Sequence, residues 1–170
     1  MPSGSVAASR ASAGAGAMGV RCDRDDLPFF PNVYNEDWFF FFKEAACRRI
    51  AVVGASRQRK YDPFEHPDRA VKEEFGDLLA EGRYARLDAQ LDISDVDEAY
   101  WTAFIASRRE FLSRVAERLA AHPDSRQENG EGRTVRAAQL SIRAAQDQLH
   151  RIDAELCQKF IKLWQADLAE

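Results

Sequence analysis

Apolar residues recur at alternating spacings of three and four along the last third of the chain. They are Val135, Ala138, Ile142, Ala145, Leu149, Ile152, Leu156, Phe160 and Leu163. Residues at these spacings share one face of an α-helix, because a helical turn takes 3.6 residues. The pattern therefore predicts one long, regular helix from about residue 135 to residue 163.

A second amphipathic segment precedes this one. Ser94-Asp95-Val96-Asp97 has the form of a capping box with an acidic third position, so we expect a helix from there to about Ala121. Arg108 interrupts its apolar stripe once. The stripe consists of Trp101, Ile105, Leu112, Val115 and Leu119. A polar loop from His122 to Gly132 joins the two segments, and we expect them to pack as a long antiparallel helical hairpin.

The most apolar part of the chain is the run of five large residues from Trp38 to Phe42. Asn35 is a favourable N-cap before it, and Glu36 and Asp37 complement the dipole of a helix that can continue to about Arg49. Because five consecutive residues point in all directions around a helix, we expect protein on most sides of it. The start of this helix should then be partly buried as well.

Two shorter elements follow. Ile50-Ala51-Val52-Val53 before Gly54 predicts a short buried strand, since β-branched residues favour strands and glycine ends them. Pro67 opens a helix that we expect to extend to Glu81, with Gly82 as its cap. The expected fold class is therefore mainly α with a small β component: a buried aromatic helix and a short strand, followed by the helical hairpin.

Composition divides the chain into three parts. Residues 1–20 are mostly Ala, Ser and Gly and are expected to form a disordered tail. Residues 21–92 contain the aromatic helix, and residues 93–170 contain the hairpin. Charged residues make up 31% of the chain and apolar residues 45%, which is typical of a globular domain.

Several classes of function are disfavoured at this point. A net charge of -4 argues against nucleic acid as a partner, because such proteins need a clustered basic face. The longest apolar run has five residues, whereas a transmembrane helix needs about twenty. The three cysteines and three histidines are scattered without metal-ligand spacing. We therefore expect a cytoplasmic protein with no metal site and no transmembrane segment.

The leading candidates for chemistry are Glu36 and Asp37. Beside a large aromatic cluster, at least one of these carboxylates can be partly desolvated and suited to act as a general base. Simple helix capping is the alternative, because acidic residues are common in first turns.

Two weaker candidates remain. Asp23 and Asp25 have the spacing of a metal-binding pair, but the apolar strand that normally precedes such a pair is missing, which favours a solvated loop. A basic loop could bind an anionic group or could be solvated charge. It contains Arg57, Arg59, Lys60 and Tyr61.

A family resemblance rests on three segments, which are Leu27 to Trp38, Tyr61 to Phe64 and Glu73 to Asp77. Together they resemble the C-terminal part of bacterial glycosyltransferases of the GT-A type, similar to family 2, with the Glu36-Asp37 pair as the most specific piece. For an inverting enzyme, the resemblance implies that Asp37 is the base that activates the acceptor hydroxyl; a retaining enzyme needs no such base. It also implies that Glu36 helps to position acceptor or base and that Trp38 stacks on a sugar ring. We further predict substrate contacts for Tyr34, Asn35, Arg57, Arg59 and Tyr61.

Enzymes of this type hold the nucleotide-sugar in an N-terminal α/β half with a metal-binding Asp-x-Asp motif, and residues 1–18 do not fit such a half. The implied function is the acceptor-side half of an enzyme that transfers sugar from a nucleotide-sugar to a hydroxyl, inactive alone. Its implied partner is a sugar or hydroxyl acceptor, with the nucleotide-sugar bound only where a donor half is supplied. No cofactor is expected on this chain alone, and a divalent metal belongs to the full-length enzyme.

The alternative function is a non-enzymatic interaction module. The nine-position apolar stripe of the last helix would then mediate self-association into a homodimer. Packing of the same stripe inside one molecule is the competing explanation.

Overall fold

The computed structural model describes residues 19–21, 23, 26–51, 62–91, 96–123 and 130–169, with the backbone alone at residues 130–133. Five helices account for most of these residues. They are α1 (Glu36–Ala46), α2 (Arg69–Asp88), α3 (Glu98–Ala120), α4 (Gly130–Leu149) and α5 (Ala154–Asp167). None of these five has the length and apolar character that crossing a membrane requires.

The expected β component is wrong, because the described residues form helices and no strand. α1 ends at Ala46, before the expected Arg49, and Arg48 turns the chain with a φ of 54°. Ile50 then emerges 40% exposed, while Val52, Val53 and Gly54 lie outside the described residues. A strand is stable only when it pairs with others. The fold class over the described ranges is all-α.

The predicted last helix is in fact two helices. The chain leaves helical geometry at His150 to Asp153, and Asp153 caps α5 by accepting a hydrogen bond from the backbone N–H of Leu156 at 2.8 Å. This break changes which residues face inward. Cys157, Ile161 and Trp164 are buried in α5, whereas the predicted core positions Leu156 and Leu163 are 43% and 56% exposed.

α3 begins later than the sequence pattern predicts. Asp97 is its N-cap and accepts a hydrogen bond from the N–H of Tyr100 at 2.8 Å, so the predicted start at Ser94 is wrong. Ser94 and Asp95 themselves lie outside the described residues.

α3 and α4 run antiparallel, as two hydrogen bonds between them show. Gln139 in the middle of α4 donates to the carbonyl of Leu119 near the end of α3 at 3.1 Å. Arg109 in the middle of α3 donates to the carbonyl of Leu149, the last residue of α4, at 3.3 Å. As the residue number rises along α4, the residue number of its partner on α3 falls, so the two helices run in opposite directions.

An aromatic cluster joins α1 to α2 and α5. Phe39 meets the rings of Phe160 and Trp164 edge-on, with centroids 5.7 and 5.2 Å away. Phe42 packs in the same way against Trp164 and against Tyr84 of α2. Such edge contacts are a favourable arrangement of aromatic quadrupoles and add to the gain from apolar burial.

Two glycines let neighbouring elements approach α2 closely. Gly82, predicted to end this helix, lies inside it instead, because α2 continues to Asp88. A Cβ there would lie 2.5 Å from Cζ3 of the buried Trp101, and one at Gly76 would lie 2.1 Å from the carbonyl oxygen of Tyr34. Both glycines therefore serve packing between elements, which a helix-ending interpretation misses.

We expect Gly76→Ala to destabilise the protein. A new Cβ would collide with a backbone atom of Tyr34, which cannot turn away as a flexible side chain can. Overpacking costs about 1–3 kcal/mol, and the better helix propensity of alanine returns about 1 kcal/mol. Because the obstructing atoms belong to the backbone, the cost should lie at the upper end of that range, and urea denaturation should show a net loss of about 2 kcal/mol.

Gly19→Ala is the control, because nothing lies within 4 Å of a Cβ at that position. Equal stability of the two variants would contradict the close contact between Gly76 and Tyr34.

Candidate functional site

The turn before α1 is held against α2 by Asn35. This residue has left-handed backbone geometry, with φ 60° and ψ 35°, a conformation that asparagine tolerates better than most residues. It occupies the predicted N-cap position, yet its side chain makes no capping hydrogen bond. Its Nδ2 instead donates to Oδ1 of Asp77 at 2.6 Å. The predicted local contact is therefore a contact between two elements.

The two predicted catalytic carboxylates lie in the first turn of α1. Glu36 is exposed and Asp37 is half-buried. Oδ1 of Asp37 accepts a hydrogen bond from the backbone N–H of Trp38 at 3.0 Å, so this carboxylate contributes to the helix start. The aromatic run thus draws one of the two carboxylates partly inward.

Trp38 is the third member of this turn. Its ring is half-buried and meets Tyr84 edge-on, and its carbonyl accepts a hydrogen bond from the Tyr84 hydroxyl at 3.0 Å. Burial raises the pKa of Tyr84 to about 12, and the negative charge of Asp37 adds to this effect. Tyr84 therefore remains a hydrogen-bond donor throughout the neutral pH range.

Next to Asp77, the partner of Asn35, Arg108 of α3 bridges carboxylates of α2. Its Nε and Nη2 donate to the two carboxylate oxygens of Glu74 at 2.9 and 3.1 Å, and its Nη1 donates to Glu81 at 2.6 Å. Nη2 also lies 3.6 Å from Oδ2 of Asp77. The three acidic residues are three and four apart in sequence, so they share one face of α2. We call these four residues the Arg108 network.

Burial and charge act against each other in this network. Burial raises the pKa of Glu74, while the hydrogen bond and the charge of Arg108 lower it. Burial also raises the pKa of Asp77 to about 6, opposed by Arg108 and reinforced by Glu81 and Glu74. Burial lowers the pKa of Arg108, but its bonds to the carboxylates outweigh this and raise it above its ordinary value. Three carboxylates facing one guanidinium leave excess negative charge here.

A cleft of about 330 Å³ opens onto this network between α2, α3 and α4. Its other walls include Phe64, His66, Glu73, Phe111, Ser141 and Ile142. Phe64 and Glu73 belong to two of the segments that carry the family resemblance, so the fold brings parts of both segments to one place. Aromatic rings beside carboxylates suit neutral polar or cationic groups better than phosphates.

A larger cleft of about 410 Å³ lies where α4 turns into α5. Acidic and basic side chains both line it, namely Glu98, Asp153, Glu155, Arg109, His150 and Arg151. No residue of the predicted site belongs to it. We therefore place the candidate site at the start of α1 and the adjoining Arg108 network.

The structure brings together one part of the predicted site. Tyr34, Asn35, Glu36, Asp37 and Trp38 form a single turn against α2. The predicted substrate contacts in the basic loop lie outside the described residues. They are Arg57, Arg59 and Tyr61.

The Asp23-x-Asp25 pair gains no support as a metal site. Asp23 forms an ion pair with Arg21, and Asp25 lies outside the described residues. In the part of the chain that the structure describes, no group of three or more His, Cys, Asp or Glu side chains could hold a metal ion.

Sequence reasoning missed the Arg108 network, although two signals for it were present. Arg108 was the one charged residue within an otherwise apolar stripe, and such a position needs a buried partner. Glu74, Asp77 and Glu81 have the spacing of one helix face, which supplies that partner.

No protein-family model, no curated protein and no solved structure matches this chain. The resemblance to glycosyltransferases and the role it implies for Asp37 therefore remain predictions.

We expect Arg108→Met to destabilise the protein by about 3–5 kcal/mol, the usual cost of leaving a buried charge without its partner. The side chain of Glu74, only 3% exposed, would lose both hydrogen bonds to the guanidinium. Thermal or urea denaturation at neutral pH measures this loss. The loss should shrink as the pH falls, because a protonated Glu74 no longer carries the unpaired charge.

The matched control is Arg114→Met, also on α3. Arg114 pairs with Glu110, and both side chains are exposed, so this variant should lose less than about 1 kcal/mol. Similar losses in the two variants would contradict a structural role for the buried pair.

Proposed function

We propose that this chain supplies the acceptor side of a glycosyltransferase-like enzyme, which moves a sugar from a nucleotide-sugar to a hydroxyl group. The three resembling segments motivate the proposal. The observation that carries it is the anchoring of the acidic turn on α2. These segments resemble acceptor-side segments of such enzymes, so the proposal concerns the acceptor side alone.

Three contacts anchor this turn. The carbonyl of Tyr34 rests against Gly76, the side chain of Asn35 binds Asp77, and the carbonyl of Trp38 accepts a hydrogen bond from Tyr84. Contacts at both ends of the turn hold its two carboxylates in a defined place before a substrate arrives. Such preorganisation is what positioning catalysis requires.

The same turn presents the groups that acceptor chemistry needs. Glu36 is exposed, and so is Tyr34, at 41%, whose ring can stack on the apolar face of a sugar. In the proposed reaction, Asp37 takes the proton of the acceptor hydroxyl. The hydroxyl oxygen then forms a bond to the anomeric carbon of the donor sugar, and the bond from that carbon to the nucleoside diphosphate breaks.

Sugar binding by the isolated chain tests this proposal. In ¹H–¹⁵N NMR titrations with neutral methyl glycosides and disaccharides, we expect shift changes concentrated at the backbone amides from Tyr34 to Trp38. Tyr34→Ala should weaken the binding about tenfold, equivalent to about 1.4 kcal/mol, through the loss of ring stacking.

Leu140→Ala is the control, because Leu140 is an apolar residue of comparable exposure, 55%, that lies on α4 and lines neither cleft. It should leave sugar binding at the turn unchanged. Absence of shift changes at the turn would overturn the proposed acceptor site. Micromolar binding of UDP-glucose by the same chain would contradict the restriction to the acceptor side.

A second candidate function, self-association, is favoured by an exposed apolar stripe on α5. Leu156 and Leu163 are exposed, and the half-buried Phe160 lies between them at helical spacing. These are the last three positions of the predicted nine-position stripe, whose earlier members Ala145, Leu149 and Ile152 are buried within the molecule. The two parts of the stripe thus have different surroundings.

A second copy of α5 fits this stripe when the two helices pair antiparallel. In the proposed dimer, Leu156 of one copy faces Leu163 of the other. The contact is self-complementary, as a two-fold dimer requires.

We expect sedimentation equilibrium to show a concentration-dependent dimer. Leu163→Glu should weaken it at least about tenfold, or about 1.4 kcal/mol, because the dimer would bury two unpaired negative charges, each against Leu156 of the other copy. Leu140→Glu is the control, since Leu140 is equally exposed, 55%, but lies on α4. A monomer at every concentration would overturn this second function.

A further inference from the structure

We propose that Asp77 is a positioning residue whose ionisation state sets the conformation of the turn from Tyr34 to Trp38, which we call the Asn35 turn. Through this turn, Asp77 also sets the orientation of the Glu36 and Asp37 carboxylates. The functional consequence rests on the proposed acceptor site. The conformational effect itself can be measured without any substrate.

The geometry places Asp77 between two donors. One carboxylate oxygen accepts the 2.6 Å hydrogen bond from Nδ2 of Asn35, and the other lies 3.6 Å from Nη2 of Arg108. Arg108 is itself fixed by its two hydrogen bonds to Glu74. A continuous chain of polar contacts therefore leads from the interior of the protein to the residue just before Glu36.

The backbone conformation of Asn35 depends on the last contact in this chain. Its left-handed φ of 60° is less favourable than ordinary backbone geometry for a residue with a side chain. The bond to a charged carboxylate is stronger than one to a neutral acceptor and helps to hold that conformation. Weakening this bond should let the turn relax and carry Glu36 and Asp37 with it.

The surroundings of Asp77 favour proton uptake under mildly acidic conditions. Burial is the largest cause that raises the pKa of Asp77, and the negative charges of Glu81 and Glu74 on the same helix raise it further. The resulting pKa is about 6. Arg108 on α3 is the opposing positive charge. The cleft also contains Glu73, which pairs with Arg69.

The remaining neighbours add one further titratable group. His66, in the loop before α2, lines the same cleft. α4 contributes the uncharged Ser141, Ile142 and Ala145 to this cleft. From the segment before α1, the uncharged side chain of Asn35 contacts Asp77.

Protonation changes what Asp77 can do. A neutral carboxyl group loses the charge-assisted bond from Asn35 and its attraction to Arg108, and its new O–H needs an acceptor of its own. The Asn35 turn is therefore held tightly when Asp77 is charged, above about pH 6, and loosens below it. Sugar binding at the turn should weaken over the same interval.

An NMR pH titration of the protein tests the inference. The side-chain amide of Asn35 and the backbone amides of Glu36 and Asp37 should share one transition with a midpoint at about pH 6. Asp77→Asn keeps an oxygen acceptor but cannot ionise, so this shared transition should disappear. Glu81→Gln, at a partly exposed position, should move the midpoint to lower pH, because the negative charge of Glu81 raises the pKa of Asp77.

His66→Gln is the control, because histidine side chains change charge in the same pH interval. The shared transition should survive in this variant. Its persistence in Asp77→Asn, its loss in His66→Gln, or an unchanged midpoint in Glu81→Gln would each overturn the inference.

The outcomes separate this inference from the proposed function. A shared transition without sugar binding would support the positioning role of Asp77 and refute the acceptor site. Sugar binding at the turn without the transition would do the reverse.

Discussion

The buried ion pair between Arg108 and Glu74 is the constraint on which the arrangement of the first three helices depends. Both side chains are largely removed from water, with exposed fractions of 10% and 3%, so each charge has lost most of its hydration and needs the other in place. The planar guanidinium group can donate two hydrogen bonds to one carboxylate in only a few orientations. The pair therefore contributes more to specificity than to net stability, because it favours the register of α3 against α2 in which the fork and the carboxylate meet.

The rest of α2 is adapted to that register. With α3 placed by Arg108, Gly82 lies beneath the ring of Trp101, and its carbonyl accepts a 2.6 Å hydrogen bond from the Tyr100 hydroxyl. Two turns earlier on α2, Gly76 leaves room for the backbone of Tyr34. α2 thus makes close contact with α3 at Gly82 and with the segment before α1 at Gly76. Larger residues at either glycine would conflict with the geometry that the ion pair demands.

Sequence reasoning succeeded where the determinants were local and failed where they were not. The acidic start of α1 follows from Asn35, Glu36 and Asp37 themselves, and the structure places that start at Glu36. The strand at Ile50 is wrong because β-branched residues favour a strand only when other strands are present to pair with. No such partner can be identified from four residues.

The prediction of a single last helix was wrong for a different reason. A regular apolar spacing continues through Ile152 and Leu156 even though the helix does not, so periodicity alone cannot detect the break. Asp153, a good N-cap residue inside the pattern, was the available signal. At Asn35 the local prediction of a cap was right in position, but the side chain found a partner forty-two residues away in sequence. Contacts at that separation depend on the tertiary fold.

The positions where local rules were broken turn out to lie together. Arg108 interrupts an apolar stripe, Gly76 lowers the propensity of a helix, and Asn35 adopts a left-handed backbone. Each would be unfavourable alone, yet Gly76 admits the Tyr34 backbone, Asn35 then reaches Asp77, and Asp77 lies beside Arg108. Natural sequences depart from local consistency mainly at functional sites, where the departures compensate one another. That these departures converge on the turn carrying Glu36 and Asp37 is the physical reason to look for the function of the chain there.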